Sequence, residues 1–139
     1  MQTKKIFIDT SILVAFVDRA DVNHQKAIKV LENMARLGIH LYTSYQIIQD
    51  TYAALSREMG TSVALEFLQS SLQSDMEILC PQKADLITAH RILRTNRERQ
   101  INLREAINAT LMQKKGIIQI ATFSYWHNLF GTYVTSLSS

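Results

Sequence analysis

Short apolar runs alternating with amphipathic helical segments constrain this chain more than any other feature. Lys5 to Ile8 reads as a buried strand that ends at Asp9. Asp9-Thr10-Ser11 caps a short helix, and a longer one runs from Asp21 to about Leu37. Ala27, Val30, Leu31 and Met34 form its apolar stripe, and Gly38 stands where a C′ glycine belongs. Ile39 to Thr43 is a second strand, followed by a helix from Ser44 to about Arg57 that Gly60 closes. Thr61 or Ser62 caps the next helix, which carries Val63, Leu65, Phe67, Leu68 and Leu72. Met76 to Leu79 is a third strand, stopped by Pro81. Ala84 to Arg97 is helical with Leu86, Ala89 and Leu93 inward. Leu103 to Lys115 is helical with Leu103, Ile107 and Leu111 inward, and Gly116 ends it. Ile117 to Thr122 is a fourth strand, Trp126 to Phe130 a helical turn, and Tyr133 to Thr135 an edge strand. Such alternation predicts a parallel sheet with helices on both faces, and functional residues at the carboxyl ends of its strands. Asp9, Ser44 and Ser124 fall at or just beyond such ends.

With 139 residues, 47% of them hydrophobic, the chain suits one globular domain spanning 1–139. A single cysteine, Cys80, excludes a disulfide framework and a Cys-rich zinc site, and suits a reducing cytoplasm. The longest apolar run, Ile12 to Val17, is too short for a membrane span. Lys4 and Lys5 are followed so soon by Asp9 that a signal peptide is not expected. Neither a Gly-rich phosphate loop nor a Ser–His nucleophile context is present. An Asp after the first strand also occurs in haloacid-dehalogenase-like and receiver folds. The first needs a second Asp where Ser11 stands, and the second an acidic pair where Lys4 and Lys5 stand.

Charge is unevenly spread. Residues 1–90 hold eight basic against ten acidic side chains, while residues 91–139 hold seven basic and only Glu98 and Glu105 as acids. Arg91, Arg94 and Arg97 recur every three residues on one helix side, and with Arg99 and Arg104 they could form a phosphate-binding rim. The alternative is a solvated Arg-rich helix end. Tyr125 and Trp126 could stack on bases, with a core or interface position as the alternative for the Trp.

Three carboxylates sit oddly for a solvated surface. Asp9 directly follows an apolar run, where it serves either as a helix cap or as a site residue. Asp50 lies about 200° around its helix from Ile48, between Ile47 and Ala54 on a second apolar side. Glu105 occupies the first turn of its helix, where the dipole favours an anion, and shares a face with Asn108, Ala109 and Met112. A carboxylate buried in such a setting needs a partner or a metal.

Taken in order, these segments resemble the PIN domain, in particular the small VapC-like ribonuclease toxins. Ile6 to Ser11 looks like that family's strand ending in Asp-Thr-Ser, and Asp21 to Ala27 like its D-x-x-H-x-x-A helix start. Tyr42-Thr43-Ser44 through Asp50-Thr51 looks like its Thr/Ser segment leading into a helix with an acid. Leu103 to Ala106 looks like its later acidic helix, and Ile120 to Ser124 like its late strand. The family pattern implies a three-layer α/β/α fold around a central, mostly parallel sheet of four to five strands. It also implies three or four acids gathered around Mg2+ or Mn2+, with single-stranded RNA as substrate. This sequence departs from the pattern twice. Asp50 and Glu105 stand where the family usually has Glu and Asp, and Ser124 replaces the fourth acid.

The resemblance therefore implies a metal-dependent endoribonuclease with three catalytic acids, Asp9, Asp50 and Glu105. One ion would sit on Asp9 and Glu105, with Asp50 orienting the attacking water or an outer ligand. Three acids suffice for one ion, because Mg2+ keeps several waters and takes one or two direct carboxylates. Thr10, Ser11, Ser44, Asn108 and Ser124 are the expected hydrogen-bonding support, and Arg91, Arg94, Arg97 and Arg104 the expected RNA contacts. His24 is expected to be structural, and His40, His90 and His127 show no metal-ligand spacing. A cognate antitoxin protein is the implied partner, and the apolar helices permit a homodimer. The rival reading is a catalytically weakened or inactive PIN-fold module that acts by binding RNA or protein, since Ser124 supplies no charge.

Overall fold

The computed structural model describes residues 4–135. Its elements in chain order are β1 (Lys5–Ile8), α1 (Thr10–Val17), α2 (His24–Arg36), β2 (His40–Ser44), α3 (Tyr45–Met59) and α4 (Thr61–Gln73). They continue with β3 (Glu77–Leu79), α5 (Lys83–Thr95), a single 3-10 turn (Arg97–Arg99), α6 (Leu103–Lys114), β4 (Gln119–Ala121) and β5 (Tyr133–Val134). The strands form one sheet in the order β3-β2-β1-β4-β5, and every neighbouring pair is parallel. The expected α/β/α architecture is thus present, with the five-stranded count at the top of the expected range.

Topology alone locates the site. From β1 the chain steps outward through β2 to β3, then returns across the sheet to β4 and β5. Right-handed crossovers put α1 to α4 on one face and α5 and α6 on the other. The direction reverses between β1 and β4, which opens a crevice at their carboxyl ends. Asp9 follows β1 and Thr122 follows β4, and the Asp9 backbone N–H extends the ladder to the Ala121 carbonyl at 3.1 Å.

Phe7, Ile8, Ile12, Ile47, Leu55 and Ile120 are fully buried and anchor the core between the layers. Each such side chain contributes on the order of 1.5–3 kcal/mol by leaving water. Two side chains expected to point inward do not: Leu103 and Leu86 are half-exposed, because each lies in the first turn of its helix where the stripe has not yet met the sheet. On α4 the core takes Ala64 and Phe67, whereas Leu65 and Leu72 stay exposed. No capping hydroxyl starts α4. Gly60 ends α3 and begins α4 at φ +95° and ψ 165°, a conformation essentially restricted to glycine. The helical turn expected at Trp126 to Phe130 is irregular backbone, because the Trp126 indole N–H and the Thr132 backbone N–H bond within the loop instead. Residues 136–139 lie outside the described residues.

Two contacts fix α6 over the sheet. Asp85 of α5 is almost fully buried and pairs with Lys114 of α6 at 3.0 Å. Burial works against its charge, but the Gln82 backbone N–H and the Lys114 ammonium outweigh that penalty and hold the carboxyl below its ordinary value. On the opposite face, Ser44 donates a 2.6 Å hydrogen bond to Asn108 of α6. Both of those groups are buried, so neither has water as an alternative.

Candidate active site

A cleft of about 560 Å³ opens at the β1/β4 crevice. Its walls come from the loop after β1, the start of α2, the first turns of α6 and the segment after β4. Asp9, Thr10, Ser11, Arg104, Glu105, Asn108 and Ser124 all line it. The structure therefore brings together most of the residues singled out from the sequence.

Asp9 caps α1 and also lines the cleft. Its Oδ2 accepts from the Ser11 backbone N–H at 3.5 Å, the Ser11 hydroxyl at 3.1 Å and the Thr122 hydroxyl at 2.7 Å. The Phe123 N–H donates to the Ser11 hydroxyl and the Ser124 N–H to the Thr122 hydroxyl, which ties the loop after β4 to the same knot. Among the described residues every donor falls on Oδ2, and none reaches Oδ1. A carboxylate so oriented keeps one oxygen for an external ligand. The Thr10 hydroxyl, on the same wall, is buried with no partner.

The other two carboxylates are already engaged. Glu105 accepts the His127 backbone N–H at 2.6 Å and His127 Nδ1 at 2.8 and 2.9 Å. Nδ1 carries the proton in this contact, because an ionised carboxylate only accepts. Asp50 does not line the cleft. Its Oδ2 lies 2.7 Å from Arg104 Nε, an ion pair by charge and distance, yet the N–H is not aimed along the oxygen and makes no directed hydrogen bond. Arg104 thus stands between Asp50 and the cleft that it lines. Among the described residues, no three His, Cys, Asp or Glu side chains converge to hold an ion as they stand.

Other positions separate clearly. Arg91, Arg94 and Arg97 are exposed, but none lines the cleft. Equal spacing would put them on one side of a helix running to Arg97, but α5 ends at Thr95 and Arg97 opens the 3-10 turn. Tyr125 is 81% exposed on the rim, while Trp126 is partly packed into the core and donates to the Thr132 hydroxyl. His24 Nδ1 donates to the Ala15 carbonyl at 2.7 Å, the structural role expected of it. Sequence reasoning missed Thr122, Asp21 and His127. Asp21 lines the cleft, with its carboxylate accepting from the Asn23 backbone N–H. His127 reaches Glu105 from an irregular segment, where no periodicity could have oriented it.

The donor chemistry fits a hard divalent cation. Asp9 Oδ1 is available, Glu105 stands on the same cleft, and the Thr10 hydroxyl wants a partner. One or two carboxylates with water in the remaining positions is the usual set for Mg2+. Glu105 would join that set by exchanging its contact to the His127 ring.

The family model described as PIN domain matches residues 6–124, and the chain belongs to that family. Its fold is shared with several solved structures. VapC20 of Mycobacterium tuberculosis, described as a sarcin-ricin loop cleaving toxin, is 23% identical with a TM-score of 0.77, over 86% of this chain and 89% of that one. VapBC2 of Rickettsia felis, bound to a DNA fragment from its promoter, gives 17% identity and a TM-score of 0.65 over 86% and 88%. PAE2754 of Pyrobaculum aerophilum gives 19% and 0.57 over 94% and 89%. At these identities the likeness is one of fold. A comparison with curated proteins gives no match.

Proposed function

We propose that this chain is a metal-dependent endoribonuclease that hydrolyses phosphodiester bonds of single-stranded RNA in the cytoplasm, as the toxin of a toxin–antitoxin pair. The observation that carries this reading is the Asp9 carboxylate, fixed by two hydroxyls at the β1/β4 crevice with Oδ1 unengaged among the described residues, on the cleft that Glu105 also lines. Asp9 and Glu105 would hold Mg2+ or Mn2+. When bound, such an ion supplies counter-charge to the phosphate and acidifies a water.

The chain's own groups do the remaining work. Ser11 and Thr122 fix the Asp9 rotamer, so Oδ1 needs no reorganisation to engage a ligand. Ser44 donates to the Asn108 amide oxygen and so holds a side chain that lines the cleft. Asp50 holds Arg104, whose half-exposed guanidinium can leave the pair at small cost and meet the scissile phosphate. Tyr125 offers an exposed ring to a neighbouring base. The antitoxin would cover the same cleft, and a homodimer would use Leu65 and Leu72 of α4.

One observation favours the rival reading, an RNA- or protein-binding module without catalysis. Arg104 already pairs with Asp50 and His127 already bonds Glu105, and Ser124 adds no charge. Incubation of labelled unstructured RNA with the protein in Mn2+ decides between them. Cleavage that a chelator abolishes and that Asp9→Asn lacks is expected. Undiminished binding with no cleavage in Mn2+ would establish the module instead.

A further inference from the structure

A second cleft, of about 490 Å³, runs along α2 away from the acidic one. Its charged lining is Lys4, Lys26, Lys29 and Arg36 against the single acid Glu32. Lys26, Lys29 and Arg36 fall within about 80° of one another around the helix, so they form one cationic edge. Val30, Met34 and Leu37 line the same cleft and give it an apolar floor. The half-chain charge of residues 1–90 hides this edge, because acids elsewhere cancel it.

The two clefts meet at one side chain. Lys26 lines the basic cleft, and its ammonium lies 6.0 Å from the centre of the Phe123 ring, which lines the acidic one. Asn23, immediately before α2, also lines the acidic cleft, and Arg36 closes the helix about 20 Å further on at 1.5 Å per residue. Resting on the ribonuclease reading, we infer that the α2 cleft is the path by which the RNA strand leaves the cutting site. Phosphates follow Lys26, Lys29, Arg36 and Lys4, and bases face the aliphatic floor. Charge and continuity favour this occupant. A row of separate cations at helical spacing matches a repeating anion, and the row begins at the lip of the cutting cleft.

The test uses the full chain and the triple variant Lys26→Gln, Lys29→Gln, Arg36→Gln, all exposed positions whose change leaves the core intact. Binding of a labelled uridine oligonucleotide of about 12 nucleotides is followed by anisotropy in EDTA across a salt series. Three phosphate contacts at about 0.7 each predict a log–log salt slope shallower by about 2 in the variant, and affinity at least about tenfold weaker at moderate salt. In Mn2+, an oligonucleotide of about four nucleotides, too short to leave the cutting cleft, should be cleaved at the wild-type rate. An unchanged slope and affinity would overturn the inference, as would equal loss of cleavage on the short and long substrates. It would also fall if oligo-glutamate displaced the RNA at lower concentration than unlabelled uridine oligonucleotide does, which would make the cleft a site for acidic protein. If wild type cleaves neither substrate while the slope difference persists, the path stands and the nuclease reading fails.

Discussion

Replacing His127 with Ala should weaken the fold and tighten ion binding at the same time. The Nδ1 proton is shared between the two Glu105 oxygens at 2.8 and 2.9 Å, and the side chains are only 17% and 11% exposed. A hydrogen bond to a charged group so shielded is worth about 1.5–3 kcal/mol. The backbone N–H of residue 127, at 2.6 Å, survives the substitution, so one bond is lost and not two. The edge-on contact with the Tyr125 ring, centroids 4.8 Å apart, adds about 0.5 kcal/mol. The total of about 2–3.5 kcal/mol lowers the midpoint of thermal unfolding by about 6–14 °C in a chain of this size. Glu105, released from the imidazole, is then free to bind. If about half of the bond's free energy reappears as ion affinity, about 0.8–1.5 kcal/mol, Mn2+ binds about four- to twelvefold more tightly. Circular dichroism during heating and calorimetric Mn2+ titration measure the two effects on one preparation. A destabilised variant whose Mn2+ affinity is unchanged or weaker would refute the view that His127 competes with the ion for Glu105.

Arg104→Ala should leave the midpoint within a few degrees of wild type, because the half-exposed pair with Asp50 is worth about 0–1 kcal/mol. The same variant should bind Mn2+ up to about fivefold more tightly and RNA with a salt slope shallower by about 0.7, read by calorimetry and anisotropy. Asp85→Ala should cost about 3 kcal/mol in urea unfolding, since it strands the α5–α6 clamp. Folding favours ionised Asp85, so the folded chain holds that proton less tightly than the unfolded one. Its contribution is complete above the ordinary value of 3.8 and fades as pH falls through the depressed folded value. Asp85→Asn should therefore flatten the acid limb of the stability profile. Gly60→Ala should cost about 1–3 kcal/mol with cleavage per folded molecule unchanged, because a Cβ there meets no neighbour and the penalty is purely conformational.

The sheet was legible because apolar runs such as Lys5 to Ile8 and Ile117 to Thr122 are separated by helical stripes, and periodicity is a local property. Asp9 and Glu105 were legible for the same reason: each stands where an element begins or ends, so the fold class already implies where it points. Pairings across the chain were not. Arg104 meets Asp50 and His127 meets Glu105 by tertiary closure, and neither pair has a spacing that announces it. Even spacing in the basic half of the chain marks Arg91, Arg94 and Arg97 as RNA contacts, yet none lines the cleft. The basic edge of α2 does not stand out, because acids elsewhere in residues 1–90 cancel it in a segment average. A helix stripe tells which residues share a side. Only packing tells what that side confronts.

The account stands or falls on whether Asp9 and Glu105 hold one divalent cation between them. Calorimetric titration of Mn2+ into the wild-type chain, Asp9→Asn and Glu105→Gln measures this without reference to any RNA. One ion per wild-type chain is expected, with both variants weakened about tenfold or more, as loss of a direct carboxylate ligand requires. Equal binding by wild type and Asp9→Asn would contradict it.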